Sequence, residues 1–589
     1  MGVPGLFSSL VRDYKKSNII IKSIDNDLPN HLYLDFNCAI YTALYSNIGI
    51  KTDESLILYV IEYLETLCRV INNIEVIYIA LDGVPSRAKI ENQRQRRYHS
   101  VCKKNRSNKI NQTFGSELDR SVGNTNTSNE FDTNCISPGT VFMYKLSIAI
   151  KNSIIINTKN IFNNKIVIVS DASIPGEGEN KIMMQLKHIK HLSIDGSIEE
   201  RNIYGTEHNT IIYGLDGDLI FLSLLLKSPN TYLFREANEY GSLATIYEGK
   251  KYLYMDIDIL SKAILDDFIK YSPSISIYTN TNPLRYRYID DYVVLCMFLG
   301  NDFMPKNHWY SIHEDGVEKL LKCYFQVHNH TERFLMDSTT LQINTEMLAD
   351  IWFLLKDKEN EAVCKLFEKR KKSKIYIKPE MTERERQQML TDFFPLQHLY
   401  VEQDIMPNLP RWENRYYKTC FNIEYTPDNI SMICKMYIKT LVWNILYYFD
   451  ECPSYTHYYP FAYAPIFTDV YNELLKHKNI NSISNKQFHF DKSTPLDQQS
   501  LLLSILPLAS KRFMIADAAY KLSNPNCSMH IYFPKRYGLN VAFHRYYHEC
   551  TPIMYKIDMN DVKKFMKECK FTETELQRNK IGDLFIKKA

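Results

Sequence analysis

At 589 residues, with 45% hydrophobic and 13% aromatic side chains, the chain can bury a large core and divide into two or more domains, which argues against a disordered tail or linker. Thirteen cysteines, an odd number with no Cys-x-x-Cys pair, argue against a disulfide framework or a zinc ribbon and fit a reducing compartment. A net charge of +3 identifies no partner, and with no signal peptide and no apolar run of about 18 residues expected, no membrane partner is predicted.

In chain order, short apolar runs carry acid at or near their ends. "HLYLDF" contains Asp35, "VIYIALD" ends in Asp82, "KIVIVSD" ends in Asp171, and "TIIYGLDGDLIFLSLLL" contains Asp216 and Asp218. Helical patterns such as "SLILYVIEYLETLCRVI" separate them. The alternation predicts an α/β domain with a buried, mostly parallel sheet. In such sheets the functional crevice lies beyond the carboxyl ends of the strands, so these acids mark where a site is built.

After Asp82 comes "GVPSRAKIENQRQRRYH", with Pro85 suited to open a helix. Lys89, Gln93, Arg96 and Arg97 then share one helical face beside the acids, a receptor for phosphate, with a solvated basic face as the plain alternative. From Ser86 to Ile110 there are nine Lys and Arg against one acid, Glu91. The polar stretch from about Asn105 to Asn134 reads as a surface loop. A run rich in charge over 356–386, including "KRKKSK" (Lys369 to Lys374), reads as a join between domains and holds a candidate nuclear import signal. An aromatic-rich half follows, and the charged tail from Asp558 reads as helical.

In "SDASIPGEGENK", Glu177 and Glu179 bracket Gly178 as Asp216 and Asp218 bracket Gly217, and "FLGNDFMP" adds Asp302. Two like charges about 4 Å apart repel by roughly 4 kcal/mol at an effective dielectric of 20. Asp35, Asp82, Glu177, Glu179, Asp216, Asp218 and Asp302 are therefore either dispersed or gathered around cations. Carboxylates suit magnesium, and two such ions can serve phosphodiester cleavage. A phosphate-binding loop at "PGEGENK" lacks the Gly-Lys-Ser/Thr ending.

Read together, "MGVPGLFSSL", "YLDFN", "ALDGVPSRAKIENQRQRR", "FDTNCISPGTVFM", "SDASIPGEGENKIM", "YGLDGDLIFLSLL" and "DDYVVLCMFLGNDFMP" occur in the order found in the XRN family of 5′-to-3′ exoribonucleases, which the chain resembles from about Met1 to Pro534. "YIKTLVWNILYYFDECPS", "YYPFAYAP" and "PLDQQSLLLSILP" continue the likeness. The resemblance implies a PIN-like, flap-nuclease-like domain over 1–355, a join over 356–386, a mainly helical second segment over 387–557 that wraps the active site, and a helical tail over 558–589. It implies Mg²⁺-dependent removal of nucleotides from 5′-monophosphorylated single-stranded RNA, with two ions held by the seven acids and Mn²⁺ as a substitute. Lys89, Gln93, Arg96 and Arg97 match the family's 5′-phosphate pocket.

The chain departs from the family where the terminal base is stacked. Tyr41 and His457 stand at positions that relatives fill with histidine and tryptophan, and an aromatic pair retains the π faces that stacking needs. Trp443 reads as core, and Lys306 replaces a usual histidine. A monomer in the cytoplasm, acting after a decapping enzyme, is the expected setting, and the Asn, Ile, Lys and Tyr bias suggests a compact viral or protist member. Two alternatives remain at this stage: a flap DNA endonuclease, against which the lack of a Gly-rich hairpin after Asp302 counts, and a catalytically idle RNA-binding relative, against which the seven acids count.

Overall fold

Burial on both faces dictates the central layer. The computed structural model describes residues 5–24, 27–47, 50, 52–114, 131–157, 160–195, 207–238, 249–273, 275, 284–476, 482–483 and 488–588. Its main sheet contains β1 (Ile20–Ile21), β2 (Asn30–Asp35), β3 (Ile74–Ala80), β4 (Ile166–Ser170), β5 (Asn209–Tyr213), β6 (Thr231–Glu236), β7 (Tyr252–Asp256) and β8 (Phe585–Lys587). Along β2 and β3, Tyr33 and Tyr78 enter one core while Leu32, Leu34, Ile77 and Ile79 enter the other, the period of two that a doubly covered strand requires.

The strand order is β1-β7-β6-β5-β2-β3-β4-β8. β6, β5, β2, β3 and β4 run parallel, so the predicted mostly parallel sheet is present. β7 and β1 extend it antiparallel on one side and β8 on the other. The single run from Thr210 to Leu226 divides into β5 and a helix, Asp218–Leu226, with the acids at the turn between them. Strands β6 and β7 were not anticipated.

A helical second layer packs on one face. Trp309, Trp352 and Trp443 share a core with Leu219 and Leu233 of the sheet layer, so the two segments close over common apolar contents. Among the described residues no helix is long and apolar enough to cross a membrane.

Three expectations are revised. The basic helix runs from Arg87 to Phe114, into the stretch read as a loop, of which residues 115–130 lie outside the described residues. The run 356–386 holds the helix Glu359–Lys371 and is pinned into the core. There buried Glu359 accepts from the Phe467 and Thr468 amides at 2.7 and 2.9 Å, and Arg370, inside "KRKKSK", grips Glu402 and the His544 carbonyl. The tail forms helices Met559–Lys567 and Glu573–Arg578 but ends as β8, where Lys587 donates to the Phe162 carbonyl at 2.6 Å.

Candidate active site

Parallel strands deliver their carboxyl ends to one edge, and the acids meet there. Asp35 closes β2, Asp82 lies two residues beyond β3, Glu177 and Glu179 flank the start of the helix Gly178–Asp195, and Asp216 and Asp218 follow β5. Burial raises the Asp35 carboxyl well above its usual range, and the charges of Asp82 and Asp216 add to the effect. Burial likewise raises Glu179, with Asp218, Asp216 and Glu177 reinforcing it against Lys89. Asp218 is pushed up to about 7, mainly by burial and further by Asp302 and Asp216. The seven expected acids thus share one electrostatic neighbourhood.

A glycine is required between the two glutamates by close approach. A Cβ on Gly178 would stand 2.4 Å from Asp35 Oδ1, so any side chain there would expel a site carboxylate. The Gly178 amide instead donates to Asp82 Oδ1 at 2.7 Å, and Asn37 donates to Asp82 Oδ2 at 2.6 Å. Cys38 Sγ donates to Asp35 Oδ2 at 3.3 Å. Gly217 has an ordinary right-handed backbone, φ −66°, so the second Acid-Gly-Acid arises differently, at a helix start.

Lys89 stands inside the acid cluster. Its ammonium contacts Glu177 and lies 2.8 Å from Asp302 Oδ2, both partners being buried. Burial works to raise Asp302, but Lys89 holds it below the carboxylate range. From the helical layer, Tyr447 donates to Glu177 Oε1 at 2.8 Å and the Tyr448 hydroxyl hydrogen-bonds Asp218. Reading the sequence did not single out Asn37, Cys38, Tyr447 or Tyr448. Asn37 sat in "YLDFN" beside an acid, while nothing local marked the tyrosines.

Among the described residues no three His, Cys, Asp or Glu side chains close into a ready metal cage. Even so, Glu179 Oε2 and Asp218 Oδ1 are buried with no hydrogen-bond donor among the described residues. Buried carboxylate oxygens without donors are costly unless a cation compensates them. An all-oxygen set of this kind fits hard divalent cations.

Farther along the same helix the expected phosphate residues diverge from Lys89. Arg96 is exposed and makes no ion pair among the described residues. Arg97 donates to Ser137 Oγ at 2.6 Å, and its Nε is buried with no acceptor among the described residues. Burial depresses the Arg97 guanidinium's proton affinity, which a bound anion would offset. Gln93 keeps a buried Oε1 without a donor among the described residues. Other basic residues of the run are structural: Arg87 pairs with Glu91 at 2.5 Å, and Arg94 donates to the Tyr532 carbonyl and lies over the Tyr98 ring.

Tyr41 is half-buried on the helix Phe36–Ser46, near enough to Arg97 and Arg96 that their charges oppose the rise its burial causes. Its ring lies parallel to that of Tyr45 at 6.3 Å. His457 sits in the helical layer, sharing a hydrogen bond with Thr440 at 3.0 Å and ring contacts with Trp443 and Phe490. Tyr41 and His457 share no ring contact among the described residues. Trp443 is fully buried, as expected of core.

Comparison with known proteins bears on this site directly. Residues 1–237 match the family described as the XRN 5′-3′ exonuclease N-terminus, and residues 285–406 and 408–588 match the Xrn1 helical domain. The human 5′-3′ exoribonuclease 1 is 25% identical over 635 aligned residues, covering 100% of this chain and 35% of the relative. The 5′-3′ exoribonuclease 2 of Gallus gallus and its Drosophila melanogaster homolog are each 24% identical, over 100% of this chain and 72% and 73% of the relatives. The chain therefore spans about a third of the human relative's length and about three quarters of the other two. Both parts of the family's architecture, the acid-edged sheet and the helical layer that supplies Tyr447 to it, are present. The chain belongs to the XRN family of 5′-to-3′ exoribonucleases.

Proposed function

We propose that this chain removes nucleoside 5′-monophosphates, one after another, from the 5′ end of single-stranded RNA that bears a 5′-monophosphate. The observation that carries the reading is the division of labour along one helix. Lys89 lies among the acids, and two turns on, Arg97 holds a buried, unaccepted Nε beside exposed Arg96. An end-phosphate gripped by Gln93, Arg96 and Arg97 would leave the first phosphodiester over the carboxylates, the proximity that converts binding into cleavage.

Asp35, Asp82, Glu177, Glu179, Asp216, Asp218 and Asp302 would hold two Mg²⁺ ions, with Mn²⁺ as a substitute. When bound, such ions supply activation of the attacking water and charge for the departing oxygen. Tyr447 orients Glu177, and the Gly178 amide with Asn37 orients Asp82. Tyr41 offers a face to the terminal base, with His457 as its expected counterpart. A pocket sized to one phosphate would reject capped or triphosphate ends, so substrate would come from decapping or internal cleavage, with a decapping enzyme as a partner. Recapture of each new 5′-phosphate gives processivity. We place the protein, acting as a monomer, in the cytoplasm.

Matched RNAs labelled at the 3′ end, bearing 5′-monophosphate, 5′-hydroxyl or 5′-triphosphate, test the reading in Mg²⁺ and in EDTA. Mg²⁺-dependent loss of the monophosphate RNA alone, to mononucleotides, is expected. Internal cuts in branched DNA, or no cleavage of any RNA, would overturn it.

A further inference from the structure

The outer half of the basic helix borders a cavity away from the acids. It has a volume of about 720 Å³ and lies between residues 98–112 of the helix and two stretches of the C-terminal part, Pro507–Ala509 and Phe533–Tyr537. Arg106, Lys109, Lys535 and Arg536 line it, and among the described residues no Asp or Glu does. None of these four cations forms an ion pair among the described residues, and Lys109, Lys535 and Arg536 are exposed. In a chain of nearly balanced charge, 71 basic against 68 acidic residues, four cations that meet no acid among the described residues create around one concavity a positive potential that attracts an anion.

The walls are held in place. Tyr537 donates to the Tyr98 carbonyl at 2.5 Å, and the two rings meet edge to face at 5.7 Å. Arg106 is stacked over Phe394 at 4.1 Å and Tyr547 at 5.1 Å, which fixes its guanidinium without neutralising it. Aromatic rings beside cations suit a ligand that carries bases as well as phosphates.

The cavity is separate from the end-phosphate residues. At 100° per residue its helical face lies about 150° around from Lys89, Gln93, Arg96 and Arg97, and Lys109 is about 18 Å farther along the axis than Arg97. One phosphate cannot reach both sets.

We infer that this cavity is a second, sequence-independent phosphoester site, which holds the RNA strand away from its 5′ end while that end is shortened. The inference rests on the RNA reading above and adds a hold that does not depend on the terminal phosphate. Such a hold keeps the strand associated during the interval in which the old end has left and the new one has not yet been captured.

The test uses the full chain in EDTA, where binding is read without turnover. Affinity for a 30-nucleotide and a 4-nucleotide 5′-phosphorylated RNA is measured against salt for the natural protein and for Lys109→Gln/Lys535→Gln/Arg536→Gln, three exposed positions whose neutralisation leaves the core intact. Three lost contacts should reduce the slope of log affinity against log salt by about 2 for the 30-mer, roughly a sixteenfold change between 50 and 200 mM salt, and leave the 4-mer unchanged. Adenosine 5′-monophosphate provides the other arm. If its binding weakens in the triple variant while the 30-mer slope stays the same, the site takes a free nucleotide, and the RNA hold is overturned. Unchanged slopes for both RNAs, or equal changes in both, also overturn it. A chain that shows the length-dependent slope but degrades nothing in Mg²⁺ would keep this site and lose the exonuclease reading, so the two failures are distinguishable.

Discussion

The inner and outer halves of the helix Arg87–Phe114 carry similar residues and are used in opposite ways. From Arg87 to Arg97 most cations are committed: Arg87 to Glu91, Lys89 to Glu177 and Asp302, Arg94 to a backbone carbonyl, Arg97 partly to Ser137. Between Tyr98 and Gln112, Arg106 and Lys109 border a cavity that no acid lines among the described residues. Charge density in a sequence therefore does not define a binding surface by itself. A buried cation must find an acid or a carbonyl within the fold, whereas one left unpaired remains available to a ligand.

The sharpest way to break the comparison is at the acids the inner half serves. Asp216→Ala with Asp218→Ala should lower cleavage by roughly a thousandfold or more while RNA affinity stays within a few-fold, since one change removes chemistry and the other arm of the site is untouched. Single-turnover assays check this, and retained turnover would move the chemistry elsewhere. Lys89→Met comes next. It removes the ammonium that both buried Glu177 and Asp302 contact, a loss of about 3–5 kcal/mol in EDTA that Mg²⁺ should shrink by supplying the missing charge. Thermal unfolding in the two buffers reads the difference, and equal destabilisation in both would reduce Lys89 to packing.

Farther out the expected effects decline. Arg96→Ala should cut the preference for 5′-phosphate over 5′-hydroxyl RNA about tenfold or somewhat more, the value of a charge-assisted contact at a half-open site. An unchanged ratio would place the pocket elsewhere. Tyr41→Ala should slow degradation by about tenfold and Tyr41→Phe by little, because stacking needs the ring and not the hydroxyl. Equal rates for the two variants would assign Tyr41 to packing.

Much of this site was legible because a parallel sheet gathers its strand ends. Asp35, Asp82, Asp216 and Asp218 each follow an apolar run and meet at one edge, whereas Asp171, at the end of the same kind of run, pairs with Lys151 at 2.5 Å, so the pattern marks the edge and tertiary contact selects the members. Residues recruited through tertiary contact left no such trace. Tyr447 reaches Glu177 across 270 residues, and Glu359, in a stretch that reads as a charged join, is buried by partners more than a hundred residues away. Lys89 lies on the helix that the sequence anticipates, yet its proximity to Asp302 depends on a loop far along the chain. The C-terminal strand escaped notice because three residues, "FIK", carry too little periodicity to register.

That short strand also bears on how the molecule is made. β4 is the sheet's edge until β8 pairs with it, and Lys587 and its partner Phe162 are 425 residues apart. At typical rates of about 5–20 residues per second, the ribosome needs roughly 20–85 s to deliver the cover. Through that interval the nascent nuclease sheet carries an open edge, with unpaired amides and carbonyls beside Ile168 and Val169, of the kind that recruits foreign strands.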